Sequence, residues 1–212
     1  MIRVSDVSKS YGPVQTLKEV SLELGGGEVL GLVGPSGSGK STHLRIIAGL
    51  LAPDSGTVTI DEVKVNDPTI VVPPYRRGVS MVFQSPELWP HMTVAENIRF
   101  TLLDQPKPLQ DRRIDELLRV AGLTGHTSQL PGQLSGGEAR RVSILRALAP
   151  ARNYILMDEP LVNLDPALKA EIHALIKSET GGRGVLYVTH NEDELVGFAD
   201  RTLHIRDGEI VG

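Results

Sequence analysis

One stretch of the sequence decides the fold: the apolar run Gly27-Glu28-Val29-Leu30-Gly31-Leu32-Val33-Gly34, continued by Pro35-Ser36-Gly37-Ser38-Gly39-Lys40-Ser41-Thr42. The first part is short, apolar and bounded by glycines, which predicts a buried strand. Residues 34–41 fit the spacing G-x-x-x-x-G-K-[ST], and the apolar residues between Ser41 and Leu50 recur at helical spacing. A strand, a glycine-rich loop and a helix in this order are the setting that a phosphate-binding loop requires.

The chemistry of this loop is the binding of an anion. Glycines allow consecutive backbone N–H groups to turn inward around phosphate oxygens, and the following helix directs its positive N-terminus at the same anion. Lys40 is expected to reach the outer phosphates, and the Ser41 hydroxyl to hold Mg²⁺. A plain glycine-rich turn with a solvated Lys40 is the alternative, which the joint fit of all these positions disfavours. The predicted phosphate-binding residues are Gly34, Pro35, Ser36, Gly37, Ser38, Gly39, Lys40, Ser41 and Thr42.

A second apolar strand, Tyr154-Ile155-Leu156-Met157, ends in the carboxylates Asp158 and Glu159. The carboxyl end of a strand is where α/β sheets bind ligands, so Asp158 is a candidate for orienting Mg²⁺. Glu159 is a candidate general base that polarises an attacking water. Either carboxylate alone is a weak signal, but together with the phosphate-binding loop they indicate a P-loop nucleoside triphosphatase.

The remaining pattern predicts an α/β fold. Strands are expected at Val58–Val65, Val79–Phe83, Val185–Thr189 and Leu203–Ile205, and helices at Val94–Leu103, Arg112–Ala121, Pro166–Ser178 and Glu192–Ala199. Strands that alternate with helices indicate a mainly parallel sheet. We predict one domain over residues 1–212: a P-loop core (1–84 and 142–212), with an antiparallel N-terminal edge sheet, and an inserted helical subdomain (85–141).

The composition is that of an ordinary globular chain of 212 residues with a formal charge of 22 − 26 = −4. The balance does not indicate a nucleic-acid binder. The chain has no cysteine, which excludes disulfides and fits a reducing compartment. The N-terminus has no apolar signal core, and no run of eighteen apolar residues occurs. We therefore expect a soluble chain whose link to any membrane comes through a partner.

A second candidate anion site is the segment Leu134-Ser135-Gly136-Gly137-Glu138, which precedes a helix extending from about Ala139 to Leu148. A serine at the cap and two glycines before a helix can bind an anion, although a plain turn is commoner. Here the chain resembles the ABC-transporter ATPase family, whose signature is Leu-Ser-Gly-Gly-Gln. The similarity continues through Arg141-Val142 and Arg146-Ala147-Leu148, and covers essentially the whole chain.

The resemblance implies roles for residues that are uninformative alone. It implies that Tyr11 stacks on adenine, that Gln84 contacts Mg²⁺ and hinges the helical subdomain, and that Asp165 belongs to the dimer-facing loop. It also implies that His190 is the switch histidine that acts in catalysis with Glu159. Without the family register, Tyr11 is a strand-end aromatic, Gln84 a polar strand terminus and His190 a capping or core histidine.

Two positions depart from the family pattern. Glu138 stands where the signature has glutamine, which adds negative charge near a nucleotide; we expect function to be retained. Val162 stands where a serine is common, just before Asn163-Leu164-Asp165. This removes a hydroxyl at the expected dimer seam.

The resemblance further implies ATP and Mg²⁺ as ligands. It also implies a symmetric dimer of identical subunits, in which one copy's Ser135, Gly136, Gly137 and Glu138 complete the partner's site. It implies a permease, an external substrate-binding protein and a place on the cytoplasmic face of the membrane. Residues 83–98 are similar to ATPases of bacterial and archaeal importers. Trp89 in this segment is either a packing residue or part of the groove that receives the permease. Many relatives in the sugar and polyamine group continue past the ATPase into a regulatory domain. We expect no such regulation from residues 1–212.

Three alternatives stay open at this point. A soluble ABC ATPase acting on ribosomes or DNA usually has two cassettes or a long coiled-coil insertion, and this sequence has neither. An ATP-binding assembly subunit that hydrolyses poorly is disfavoured by Glu159 and His190. An exporter or lipid-extraction ATPase is compatible with the sequence.

Overall fold

A computed structural model describes residues 1–162 and 164–211, so Asn163 and Gly212 lie outside the described residues. The chain divides into two compact units. The first contains Met1–Met81, Arg152–Glu159 and Gly182–Gly212, and the second contains Val82–Ala151 and Pro160–Gly181. This division follows from the contacts within each unit. The boundaries of the helical subdomain at 84 and 142 come from the sequence pattern and stay a prediction.

The N-terminal part of the first unit is an antiparallel sheet with the strand order β2-β1-β4-β5. Its strands are β1 (Ile2–Tyr11), β2 (Val14–Leu24), β4 (Ser55–Ile60) and β5 (Val63–Asn66). The prediction of one strand over Val58–Val65 was wrong, because the chain turns back at Asp61 and Glu62. Both residues have positive φ, 47° and 69°, and two such residues form the tight turn of a hairpin.

The second sheet of this unit has the order β10-β9-β3-β8-β7-β6. Its strands are β3 (Val29–Val33), β6 (Val79–Val82), β7 (Tyr154–Asp158), β8 (Gly184–Thr189), β9 (Arg201–Arg206) and β10 (Glu209–Val211). Strand β3 is parallel to β8 and β9, and β7 is parallel to β8, whereas β10 returns antiparallel to β9. The predicted α/β class with a mainly parallel sheet and an antiparallel N-terminal sheet is confirmed.

Helix α1 (Lys40–Ala48) follows β3 and packs into the same core as both sheets. Leu17, Leu30, Leu44 and Leu186 are fully buried in that core. Each fully buried leucine contributes about 1.5–3 kcal/mol relative to exposure. The loop between β3 and α1 is therefore held by well-packed elements at both of its ends.

The second unit is helical. Its helices are α2 (Val94–Arg99), α3 (Lys107–Val120), α4 (Gly136–Leu148) and α5 (Pro166–Glu179). They share a core to which Ile98, Leu117, Val142, Leu145 and Leu175 contribute. Within the described residues 85–141 no strand occurs, as the composition predicts.

The predicted helix over Glu192–Ala199 was also wrong, since only a 3-10 turn, Glu192–Leu195, forms there. Val196 is extended and Gly197 has a φ of 70°, so the helical path ends after one turn. The Glu194 carboxylate points into the unit instead of to solvent, where its side chain is bonded to β8.

Candidate functional site

The glycine-rich loop starts at the end of β3, where the Gly34 N–H donates to the Thr189 carbonyl of β8 at 3.3 Å. The loop closes on Gly39, whose φ is 102°, a conformation that favours glycine. A Cβ at Gly39 would lie 2.6 Å from the Leu17 side chain and 2.7 Å from the Thr16 carbonyl. Packing of β2 against the loop therefore excludes a side chain there.

The N-terminus of α1 supplies the expected anion-binding groups. Gly39 caps the helix without a side chain, so the backbone N–H groups of the first turn stay available and carry the positive end of the helix dipole. The Ser38 hydroxyl is buried beside them and has no hydrogen-bond partner among the described residues. An orphaned hydroxyl and free amide donors in one cradle fit the phosphate oxygens of a nucleotide.

Lys40 lies over this loop. Its Nζ donates to the carbonyls of Gly34 at 2.7 Å and Pro35 at 2.8 Å, and the side chain is 5% exposed. Burial lowers the pKa of Lys40, while the carboxylates of Glu159 and Asp158 act in the opposite direction. The ammonium is thus held between the loop and the two carboxylates that end β7.

Ser41 and Asp158 are the candidate magnesium ligands. The Ser41 hydroxyl donates to the Asp158 carboxylate at 2.9 Å, which joins the start of α1 to the end of β7. Burial raises the pKa of Asp158, and the hydrogen bond from Ser41 opposes it. Mg²⁺ is usually bound by one or two protein oxygens together with phosphates and water. The pair fits that pattern, and no metal-binding group of three or more His, Cys, Asp or Glu side chains occurs in the described part of the chain.

Glu159 and His190 form a close pair next to this site. The His190 Nδ1 lies 3.1 Å from the Glu159 carboxylate, and the side chains are 49% and 12% exposed. The Glu159 N–H donates to the Val188 carbonyl at 2.9 Å, and its φ of 45° is rare for a residue with a side chain. Residues held in such conformations by their surroundings cluster at functional sites. The two predicted catalytic residues are therefore brought together.

Tyr11 ends β1 and pairs with Val14 across a turn. Its side chain is 48% exposed, so the ring offers a free face in the same unit as the loop. Such a face can stack on a nucleobase.

Ser135 begins α4 in the second unit and caps it. Its hydroxyl accepts from the Glu138 N–H at 3.3 Å and donates to the Glu138 carboxylate at 2.8 Å, which completes a capping box. The Glu138 carboxylate also lies 3.1 Å from the His126 Nε2. Hydrogen bonds from Ser135 lower the pKa of Glu138, and His126 acts in the same direction. The departure from glutamine is thus accommodated inside the unit.

Gly136 and Gly137 begin α4 and have no side chains, so this part of the first turn offers only backbone groups. Gly136 is exposed, and a Cβ at Gly137 would lie 2.7 Å from the Leu168 side chain of α5. Asp165 caps α5 by accepting from the Leu168 N–H at 3.0 Å. Val162 is half-buried, and Asn163 lies outside the described residues.

Gln84 is exposed and follows β6, and its backbone is held by a residue that the sequence reasoning missed. The buried guanidinium of Arg140 on α4 donates to the carbonyls of Phe83 at 2.5 Å, Gln84 at 3.0 Å and Pro160 at 2.5 Å. A signal for it exists in the sequence, because Arg140 shares helical spacing with the buried Ile144 and Ala147.

Trp89 lies in the loop before α2 and is half-buried. Its ring packs on Phe100 with the centroids 4.4 Å apart, and the Arg146 guanidinium lies 4.9 Å from its centroid. The Asn97 side chain accepts from the Trp89 N–H at 2.9 Å and donates to three carbonyls of the same loop. The loop is therefore rigid, and Phe100 remains 46% exposed beside it.

The predicted site residues fall into two groups. The first unit brings together the phosphate-binding loop, Asp158, Glu159 and His190, with Tyr11 in the same unit. The second unit carries Gln84, the segment 135–138 and Asp165. No helix of the described residues is both long enough and apolar enough to pass through a membrane.

The sequence is similar to known proteins over most of its length. The ABC transporter family pattern matches residues 17–162. The trehalose/maltose import ATP-binding protein MalK of Thermococcus litoralis is 44% identical over 206 residues, which are 94% of this chain and 55% of that protein. The spermidine/putrescine import ATP-binding protein PotA of Thermotoga maritima is 39% identical over 216 residues, 99% of this chain and 57% of that protein. The chain thus spans little more than half the length of these relatives.

A solved structure, the dimeric MJ0796 described as a bacterial ABC transporter cassette, is similar over 100% of this chain and 97% of its own, with a TM-score of 0.89 and 34% identity. A dimeric post-hydrolysis state of that cassette, bound to ADP and Pi, has the same TM-score and identity.

Proposed function

Because the chain belongs to the ABC transporter family, we propose that it binds ATP with Mg²⁺ and hydrolyses it to drive transport through a membrane permease. One observation carries the proposal: the 3.1 Å pair of Glu159 and His190 lies next to the 2.9 Å pair of Ser41 and Asp158, at the strand ends beside the phosphate-binding loop. The phosphate-binding loop, the candidate metal ligands and a candidate base are thus neighbours in one unit.

Each residue has a distinct task in hydrolysis. Lys40 and the N–H groups at the start of α1 hold the outer phosphates of ATP. Ser41 and Asp158 are the residues that would hold Mg²⁺, which neutralises charge on the phosphate oxygens when it is bound. The Glu159 carboxylate accepts the proton of the attacking water, and general-base assistance of this kind contributes about 10² to 10⁴ in rate.

His190 acts from the other side of Glu159. The His190 Nδ1 faces the Glu159 carboxylate at 3.1 Å, so Nε2 is the ring nitrogen that is left for a second partner. We assign to Nε2 a contact with the terminal phosphate, which keeps water, carboxylate and phosphate in one line. Tyr11 stacks on the adenine.

We also propose that two identical copies close on ATP. Ser135 and Gly136 are exposed at the N-terminus of α4, and a second anion site of this kind is useful if it completes the nucleotide site of a partner. Gly137, Glu138 and Asp165 belong to the same contact. The dimeric cassettes among the solved relatives support this arrangement.

The transport partners follow from the relatives, which are named as import ATP-binding proteins. We propose import of a small molecule through a permease, with an external substrate-binding protein and with this chain on the cytoplasmic face. Gln84 is proposed to contact Mg²⁺ and to pass the nucleotide state to the rigid loop around Trp89. The exposed edge of Trp89 and Phe100 is the surface proposed to receive the permease.

The test is Glu159→Gln, which keeps the shape of the side chain but removes the base. We expect ATP binding, measured with a fluorescent ATP analogue, to stay within about 3-fold, and phosphate release to fall about 100-fold or more. Glu192→Gln is the matched control, because Glu192 is 63% exposed, and its turnover should equal the parent. Turnover of Glu159→Gln within a few-fold of the parent contradicts the proposal. A parent that binds ATP without releasing phosphate favours the assembly-subunit alternative.

A further inference from the structure

Glu194 is a buried carboxylate that the proposed chemistry does not use. It lies in the 3-10 turn Glu192–Leu195 after β8 and is 8% exposed. The Thr189 hydroxyl donates to its Oε2 at 2.9 Å, and the Tyr187 hydroxyl donates to the same oxygen at 3.2 Å. Burying a carboxylate is costly unless it is hydrogen-bonded, so these contacts are needed to keep it inside.

The hydrogen bonds of this network reach both sequence neighbours of His190. The Thr189 hydroxyl, which donates to Glu194, also accepts from the Asn191 N–H at 3.0 Å. The Asn191 carbonyl in turn accepts from the Glu194 N–H at 3.2 Å. The ring of contacts is closed: it begins and ends at Glu194 and contains the residues before and after His190. The backbone of His190 is thus held from both sides.

The strand end that Glu194 holds also carries the catalytic groups. The Val188 carbonyl accepts from the Glu159 N–H at 2.9 Å, and the Thr189 carbonyl accepts from the Gly34 N–H at 3.3 Å. Displacement of Thr189 would therefore move His190 relative to Glu159 and to the start of the phosphate-binding loop. A misplacement of about 1 Å at a catalytic group can cost about 10² in rate.

We propose that Glu194 is a positioning residue for ATP hydrolysis, which acts by holding the segment Thr189–Asn191 so that His190 meets Glu159 and the terminal phosphate. The inference rests on the proposed role of His190. Because Glu194 is buried and acts through this segment, its loss should reduce the turnover number and leave the ground-state binding of ATP unchanged.

The experiment compares Glu194→Met with Glu194→Gln in the full chain. The hydrogen bonds from Tyr187 and Thr189 go to one oxygen, and an amide oxygen can accept both, whereas methionine accepts neither. We expect kcat to fall about 10- to 100-fold in Glu194→Met, with KM for ATP within about 2-fold, and to stay within about 3-fold in Glu194→Gln. The control is Glu192→Met, which removes an exposed carboxylate from the same turn and should behave as the parent.

A purely structural role predicts a different result. In that case the substitution lowers the melting temperature and the fraction of active protein. The fall in kcat then follows the loss of stability in every variant, and Glu194→Gln has no higher kcat than a Glu194→Met chain of the same stability. If Glu194→Met does not fold, Thr189→Val removes the same hydroxyl link in a chain of unchanged shape and should show the same fall in kcat. Parental kcat in either variant, or a loss that appears in ATP affinity, overturns the proposal.

A double substitution separates this inference from the proposed function. In a His190→Ala chain, Glu194→Met should reduce the residual phosphate release by less than about 2-fold, because the two residues act as one unit. An additional fall of 10-fold or more shows that Glu194 does not act through His190. Parental turnover in His190→Ala contradicts the role of His190 itself, while the outcome for Glu159→Gln remains an independent measure of the ATPase mechanism.

Discussion

His43 is fully buried in α1, one turn after the phosphate-binding loop, and neither ring nitrogen has a hydrogen-bond partner in the part of the chain that the structure describes. Burial lowers the pKa of His43 to about 4. The folded protein therefore holds a neutral imidazole, whereas the unfolded chain takes up a proton near its ordinary pKa. An unsatisfied polar side chain of this kind weakens the folded state.

We expect His43→Leu to be more stable than the parent by about 1–2 kcal/mol at pH 7.5, because leucine leaves no polar atom unpaired. The unfolded state binds the additional proton below about pH 6.5, so the stability of the parent falls as the pH falls from 6.5 towards 4. The advantage of His43→Leu should thus grow by about 2 kcal/mol between pH 7.5 and pH 5. Urea unfolding at both pH values measures the difference in unfolding free energy between His43→Leu and the parent.

The control for this prediction is His91→Leu, since His91 is exposed. Its unfolding free energy should stay within about 0.5 kcal/mol of the parent. Equal pH dependence in the parent and in His43→Leu would falsify the account of His43.

At the scale of elements, α4 acts as an organiser of the second unit. Its N-terminus carries the Ser135 and Glu138 capping box, and Arg140 one turn later binds the carbonyls of Phe83, Gln84 and Pro160. One guanidinium thus holds the residue after the β6 strand, the candidate glutamine and the residue after Glu159. The hydrogen bond to the Pro160 carbonyl is buried, so that carbonyl would lose a donor inside the unit without Arg140.

We expect Arg140→Met to lower the unfolding free energy by at least about 2 kcal/mol, because an orphaned buried acceptor costs about 1–3 kcal/mol. Arg140→Lys should be intermediate, since an ammonium cannot reproduce the planar fork of donors. The matched control is Arg112→Met, whose side chain is 76% exposed in a surface ion pair. Denaturation that ranks Arg140→Met with Arg112→Met disproves the organising role.

At the scale of the whole molecule, the proposed dimer uses the loop of one copy with Ser135 of the other. Lys40→Ala and Ser135→Arg should each be nearly inactive alone. Mixed together, they should recover about a quarter of the parental phosphate release, because half of the random dimers are mixed and each has one intact site.

A second mixture is the control for this prediction. Lys40 and Glu159 belong to the same half of a site, so Lys40→Ala mixed with Glu159→Gln leaves no site intact and should recover nothing. Recovery in both mixtures, or in neither, is incompatible with the proposed exchange of Ser135. The specific activity of the parent should also rise with protein concentration.

Much of the site could be predicted from the sequence because it is encoded in contiguous residues. The spacing in residues 34–41 specifies a loop conformation locally, and an apolar strand followed by Asp158 and Glu159 has its functional end defined by its own order. The cap at Ser135 is likewise local, since a serine and the residue three positions later suffice to form it. Such features depend on backbone geometry within a few residues.

Only the tertiary structure decided what distant segments do to one another. The bond between Ser41 and Asp158 joins residues 117 positions apart, and the bond from Arg140 to Phe83 joins residues 57 apart. The hairpin residue Asp61 is likewise bonded to the Met1 carbonyl, and Glu159, with its positive φ, to the Val188 carbonyl of β8. A hydrogen bond between distant side chains forms only when both segments are packed in place. The hydrophobic spacing of one segment carries no information about the polar group that a distant segment will bring next to it.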